Sequence, residues 1–216
     1  MNNKTFRIIL MGAPGAGKGT QAALISKQYR IPNISVGNIL KEELKNQTKL
    51  GLEAKSFMDA GKLVPDQVVI EIIKNRVNQD DCKNGFILDG MPRTIEQAKA
   101  LEEMGIKVDK VIIIEVPDEK IIKRLTERRV CRSCSSSYHL TDNPPTVDNV
   151  CNDCGDELVI RADDNEEVIK TRLDEYHNVT EPLKEFYNLK GLLKVVEGQD
   201  IVVHTTQLVE QALEAE

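Results

Sequence analysis

The sequence predicts an α/β fold: one five-stranded parallel sheet with helices on both faces. Three observations lead there. Short apolar runs recur along the chain, at Phe6 to Met11, Ile31 to Ser35, Gly85 to Gly90, Val111 to Val116 and Leu192 to Val196. Segments with apolar residues at helical spacing lie between them. The first run passes through a glycine-rich turn straight into the first helical segment. Strands that alternate with helices imply a parallel sheet buried on both sides, and 216 residues are ample for one core with insertions.

Taken in order, Phe6 to Met11 reads as a buried strand and Gly17 to about Tyr29 as the first helix. Ile31 to Ser35 is a second short strand. From Gly37 to about Gln79 the pattern is helical, with breaks expected near Gly51, Gly61 and Pro65. "GFILDG" is the third strand. The helix of "PRTIEQAKALEEM" follows it, with Thr94 as N-cap and Gln97 three residues on, as in a capping box. "VIIIEV" is the fourth strand, and a helix from about Asp118 to Arg129 follows. A segment rich in Ser, Asn, Asp, Pro and Cys then interrupts the alternation. Helical pattern resumes near Asn165 and runs to about Leu189, "LLKVV" is the fifth strand, and Ile201 to Leu213 contains a closing helix.

The composition is that of an ordinary globular chain, 40% apolar and 30% charged. A net charge of -6 argues against a general binder of nucleic acid or of anionic membranes, both of which call for a basic face. The opening "MNNKTFRIILMG" is too briefly apolar for a leader or a membrane span. A cytoplasmic location is therefore expected, with no membrane or nucleic-acid partner.

"GAPGAGKGT", Gly12 to Thr20, lies between the first strand and the first helix, where a phosphate-binding loop belongs. Phosphate oxygens are met there by backbone N–H groups, so the chain must come close without side chains. Gly12, Gly15, Gly17 and Gly19 allow that approach, Ala13, Pro14 and Ala16 complete the wrap, and Lys18 can reach the terminal phosphates. The general pattern G-x-x-x-x-G-K-[ST] is broken by Gly19, which moves the hydroxyl to Thr20. Magnesium is then expected to rely more on phosphates, water and a carboxylate. Asp89, at the C-terminal end of the third strand, is the candidate, and a plain turn cap is the alternative.

"GAPGAGKGTQ", "DGMPRTIEQA" and "RRV…YH…NPP…RADD" together resemble the adenylate kinase family in its long-lid, zinc-containing form, from Arg7 to about Val196. The resemblance implies a P-loop NTPase fold with a helical AMP-binding insert and a small zinc-ribbon-like lid. It divides the chain into a core (1–34, 65–126 and 165–216), an AMP-binding segment (35–64) and a lid (127–164). It implies reversible transfer of the γ-phosphoryl of Mg·ATP to AMP by a monomer.

Residue by residue, the resemblance makes the loop from Gly12 to Thr20, together with Arg128, the binder of the ATP phosphates, and makes Arg124 and His139 the pair that covers the ATP adenine. Arg93, Arg161 and Arg172 become clamps on the transferring group and the AMP phosphate. Ser35, Val36, Lys41, Gly90 and Gln97 fall in the AMP site, with Gln97 reading the base. Lys62, Val64 and Val69 lie where the family lines the AMP pocket. Such chemistry needs positioning and charge rather than a nucleophile or general base, and arginine suits it because its fork meets phosphate oxygens two at a time.

"SVGNILK", Ser35 to Lys41, departs from the family's Ser-Thr-Gly-Asp-x-Leu-Arg: Val36 lacks a hydroxyl, Asn38 lacks a charge and Lys41 lacks a fork. Met91 stands where phenylalanine is usual. Weaker AMP binding is expected. A UMP/CMP kinase of the same superfamily is the alternative, because a non-hydroxyl residue near position 36 is tolerated there, although its lid is typically short.

Cys131, Cys134, Cys151 and Cys154 form C-x₂-C-x₁₆-C-x₂-C, a spacing for a tetrahedral metal. Four thiolates leave no open coordination position, so the metal is expected to be structural. Disulfides remain the alternative, and spacing does not separate zinc from iron. A nucleic-acid-binding ribbon would interleave basic and aromatic residues. Between these cysteines, Arg132, Tyr138 and His139 face Asp142, Asp148 and Asp153. Cys82 reads as an incidental thiol, and His177 and His204 receive no role.

Overall fold

The computed structural model describes residues 6–215. The leader reading falls partly on residues 1–5, and the core segment as expected from the sequence begins there too; those residues lie outside the described ones. The sheet holds β1 (Phe6–Met11), β2 (Asn33–Ser35), β3 (Gly85–Asp89), β4 (Lys110–Glu115) and β8 (Leu193–Glu197), all parallel, in the order β2-β3-β1-β4-β8. The five-stranded α/β expectation is met.

Both faces of the sheet are buried, and the period of two in strands shows how. Ile9 and Met11 of β1 enter one core cluster with Leu88 and Ile113, while Ile8 and Leu10 enter the other with Ile87 and Ile112. Helices α1 (Lys18–Tyr29) and α9 (Val202–Glu214) cover the second face. Helices α4 (Asp66–Val77), α5 (Ile95–Glu103) and α8 (Leu183–Leu189) cover the first. The chain leaves β1 toward β2 on one side and returns from β3 to β4 on the other. That reversal opens a crevice at the C-terminal ends of the central strands.

Two excursions rise beside the crevice. Helices α2 (Val36–Lys45) and α3 (Lys49–Asp59) form one. The break expected near Gly51 falls at 46–48, where Gln47 has φ 54°, and Gly51 itself lies inside α3. A Cβ on Gly51 would stand 2.3 Å from the backbone of Glu43 and Leu44, so this glycine lets α3 press onto α2. The second excursion is a three-stranded antiparallel sheet, β5 (Arg128–Cys131), β6 (Ser137–His139) and β7 (Leu158–Val159), in the order β6-β5-β7.

Helix α6 (Asp118–Thr126) stops three residues before the expected Arg129, because Arg128 and Arg129 pair with His139 and Tyr138 in β5. The helical stretch after Asn165 is not continuous either. It is α7 (Glu166–Glu175), a π-helical turn at 176–180, and then α8 beyond Pro182. Proline cannot donate within a helix, which accounts for the interruption. Among the described residues, no helix is long and apolar enough to cross a membrane.

Candidate active site

The phosphate loop joins β1 to α1 beside β3, where Leu10 lies in register with Asp89. A Cβ on Gly12 would stand 2.5 Å from the Ile114 carbonyl, so the loop starts by pressing against β4 in a way only glycine permits. At the other end Gly17 caps α1 with no side-chain hydrogen bond, and the first turn carries no acid. The helix therefore presents its first N–H groups and positive dipole end to the crevice without internal compensation.

Lys18 curls back over the loop, donating to the carbonyls of Gly12 and Ala13 at 2.8 Å each. Burial drives its ammonium down to about 7. Asp89 opposes that shift, and Arg93, Arg172 and Arg128 reinforce it. Asp89 is itself pushed upward by burial, against the pull of Lys18, Arg93 and Lys41. Its Oδ2 lies 3.6 Å from where a Gly19 Cβ would be, so the residue that breaks the loop pattern sits directly beside this carboxylate. Arg93 Nε donates to the Gly90 carbonyl at 2.8 Å, which aims it across the same crevice.

The remaining arginines are held by two adjacent aspartates. Arg128 grips Asp164 through Nε at 2.8 Å and Nη2 at 2.5 Å. Arg161 grips Asp163 through Nε at 2.8 Å and Nη2 at 2.6 Å. Arg172, on α7, lies 3.1 Å from Asp163 and 3.4 Å from Asp164 and so ties the pair together. Burial would raise the Asp163 carboxyl, but Arg161 and Arg172 win and hold it at about 2. Neither aspartate was singled out from the sequence, although both stand in the quoted "RADD". Two carboxylates beside an expected arginine clamp were the available signal.

Lys41 of α2 belongs to the same electrostatic cluster. Burial and then Arg161 lower its ammonium to about 8, with Arg128 and Arg172 adding to that and Asp163 opposing. Val36, Val64, Val69 and Met91 pack together in the core cluster under this side of the crevice. Ser35 caps α2 without using its hydroxyl, and Asn38 and Lys62 are exposed. The side chain of Lys62 is not drawn into the cluster.

Gln97 is 2% exposed. Thr94 caps α5 as expected, accepting from the Gln97 N–H at 3.1 Å. The capping-box expectation needs a correction, because the Gln97 Oε1 accepts from the Arg93 N–H and not from that of Thr94. Arg124 and His139 are anchored by different elements. Arg124 donates to the Gln199 carbonyl at 2.7 Å. His139 accepts through Nδ1 from the N–H groups of Thr141 and Asp142, leaving Nε2 buried without a hydrogen-bond partner among the described residues. Thr20 is half-buried in the first turn of α1.

The cysteines converge. The Sγ atoms of Cys131, Cys134, Cys151 and Cys154 lie within 4.8 Å of one another. The shortest separation, 3.3 Å between Cys131 and Cys154, is far too long for a disulfide near 2.05 Å. The two knuckles repeat each other: Ser135 N donates to the Cys131 carbonyl and Gly155 N to the Cys151 carbonyl. Four soft sulfurs closing on one point fit zinc, whose bonds to thiolate run about 2.3 Å. Tyr138 Oη lies 3.4 Å from the Cys151 sulfur and accepts from Asn152 N–H, bracing the group from β6. Cys82 stands apart, buried and with its thiol pushed up by that burial.

The loop lysine Lys18 and Lys41 of α2 both couple to Arg128 and Arg172, so a glycine-rich loop and a guanidinium cluster belong to one site, which fits a P-loop nucleotide kinase. The adenylate kinase family model matches residues 10–192. An adenylate kinase from Caldicellulosiruptor saccharolyticus is 55% identical over 98% of this chain and 100% of its own length. Those from Acetivibrio thermocellus and Carboxydothermus hydrogenoformans are 51% and 50% identical, over 96% and 97% of this chain and 98% and 100% of their own. The chain belongs to the adenylate kinase family.

Proposed function

We propose that the chain catalyses reversible transfer of the γ-phosphoryl group of ATP to AMP, giving two ADP. The observation that carries this reading is the bridge of Arg128, Arg161 and Arg172 on Asp163 and Asp164, with Arg128 and Arg172 coupled to both Lys18 and Lys41. The attacking atom is an oxygen of the AMP phosphate, already deprotonated, so no general base is needed. The bond to the β,γ-bridging oxygen breaks and ADP leaves. What remains for the protein is to hold two polyanions in line and to spread positive charge over the transferring group.

In this reading the loop from Gly12 to Thr20 and Arg128 hold the ATP phosphates. Arg93, Arg161 and Arg172 clamp the transferring group, and Lys41 takes the AMP phosphate. Arg124 and His139 flank the ATP base, with Nε2 of His139 lying 3.7 Å from the Glu127 carboxylate and making no hydrogen bond among the described residues. Gln97 reads the AMP base over a floor that includes Val36, Val64 and Val69. Asp89 fits magnesium: it is a hard oxygen ligand at the loop, and although burial pushes its carboxyl upward, Lys18, Arg93 and Lys41 oppose that push, as a bound cation would. When bound with ATP, magnesium would neutralise phosphate charge.

Residues 35–64 and 127–164 are the AMP-binding segment and the lid on the remaining core. The lid's cysteine group fits a structural zinc that orders a segment too small to hold its own shape. Closure of the lid would carry Arg128 and Arg161 over the phosphates and expel water, favouring AMP as acceptor over hydrolysis. A cytoplasmic monomer with ATP, AMP and ADP as its only partners completes the reading. Turnover with AMP, UMP, CMP and GMP, together with the protein's metal content, tests it. Preference for AMP supports it, and comparable rates with UMP or CMP overturn it.

A further inference from the structure

Asp66 opens α4, and its carboxylate is shared by two groups from the start of α5. Thr94 Oγ1 donates to Oδ2 at 2.9 Å and Gln97 Nε2 donates to Oδ1 at 2.7 Å. The other end of the same Gln97 amide accepts from the Arg93 N–H at 2.8 Å. A carboxylate only accepts and a backbone N–H only donates, so one orientation of the amide satisfies both neighbours and the flipped one satisfies neither. In a side chain 2% exposed, the flipped amide would leave its polar atoms facing like partners with no water to relieve them.

We propose that Asp66 is a positioning residue that sets acceptor specificity: by locking the Gln97 amide, it makes the acceptor site take a 6-amino purine nucleotide and refuse the 6-oxo analogue. The proposal rests on the reading of Gln97 as the group that meets the AMP base. The locked amide keeps one hydrogen on Nε2 and one lone pair on Oε1 for a ligand. Adenine offers N1 as acceptor and the 6-amino group as donor. Hypoxanthine has the same outline with the pattern reversed, N1–H as donor and O6 as acceptor. A freely turning amide serves both bases, whereas a locked one serves only adenine.

The test compares AMP with inosine monophosphate as acceptors for the wild type, Asp66→Leu, Asp66→Asn and Gln97→Leu. Asp66→Leu is expected to lower the AMP-to-IMP ratio of kcat/KM by about tenfold, through KM for the acceptor and with KM for ATP unchanged. Asp66→Asn keeps an acceptor oxygen and restores most of the ratio. If Asp66→Leu keeps the ratio while Gln97→Leu lowers it, the lock is wrong and the role of Gln97 stands. If Gln97→Leu also keeps the ratio, the reading of Gln97 fails first. Should the leucine variant not fold, NMR of the wild-type Gln97 side-chain amide decides. Without nucleotide, one of its two protons protected from exchange supports the lock, and two equally exchanging protons overturn it.

Discussion

Asp164 receives Arg128 on both carboxylate oxygens, and its side chain is wholly withdrawn from solvent. The aspartate therefore sets where the first arginine of the lid strand points. Asp164→Ala frees that fork without touching the phosphate loop. We expect kcat to fall about a hundredfold, the scale of a small misplacement of a catalytic group. A Tm drop with kcat within twofold of the wild type would mean that Asp164 only stabilises the lid.

Lys41 keeps a charge where the family has an arginine, but it is a weakened one. Its ammonium, lowered to about 8 by burial and Arg161, neutralises as pH rises past that value. The AMP KM of the wild type should climb above pH 8, while that of Lys41→Arg stays flat and lies about fivefold lower at neutral pH, the gain of one charge-assisted fork contact. An unchanged or higher KM in the arginine variant refutes the account.

Lys18 is held at about 7 by burial, and a polyphosphate would draw a proton back onto it. Binding of ATP at pH 8 should then take up protons, which calorimetry in two buffers of different ionisation enthalpy measures. Uptake should shrink toward pH 6, where the ammonium is already charged. The folded pKa lies below the unfolded value, so between about 7 and 10 the unfolded chain binds more protons at this residue. Its contribution to stability rises with pH through that window. Lys18→Met should abolish the uptake.

The four lid cysteines gather on one point while Cys82 stays buried in the core. Chelation should lower Tm and make four thiols reactive, leaving the fifth protected until global unfolding. An unchanged Tm after metal removal defeats the structural role.

Gly51 admits no Cβ against the backbone of α2. Gly51→Ala should cost about 1–3 kcal/mol, the range of overpacking, read by denaturant midpoint. A neutral result would mean that α3 slides freely on α2.

The strands, the phosphate loop and the cysteine spacing were legible because each is a local pattern. A strand shows as an apolar run, a phosphate cradle as glycines before a lysine, and a metal knuckle as paired cysteines with two residues between them. The aspartates were not legible as a pair of anchors. Asp163 and Asp164 are neighbours in the chain, yet they hold arginines from β5, from the loop before α7 and from α7 itself. Asp66 and Gln97 lie thirty-one residues apart, and nothing in either segment announces the other. Gly51 looked like a break because a glycine's local meaning is freedom, whereas its use here is contact with another helix.

Sequence alone determined the sheet, the loop and the sulfur donors, since hydrophobic period and motif spacing act within one segment. Only the tertiary structure decided which carboxylate holds which guanidinium, and which way one buried amide faces. Those choices depend on distances between segments, and hydrogen bonds and ion pairs are selected by distance and desolvation rather than by order along the chain.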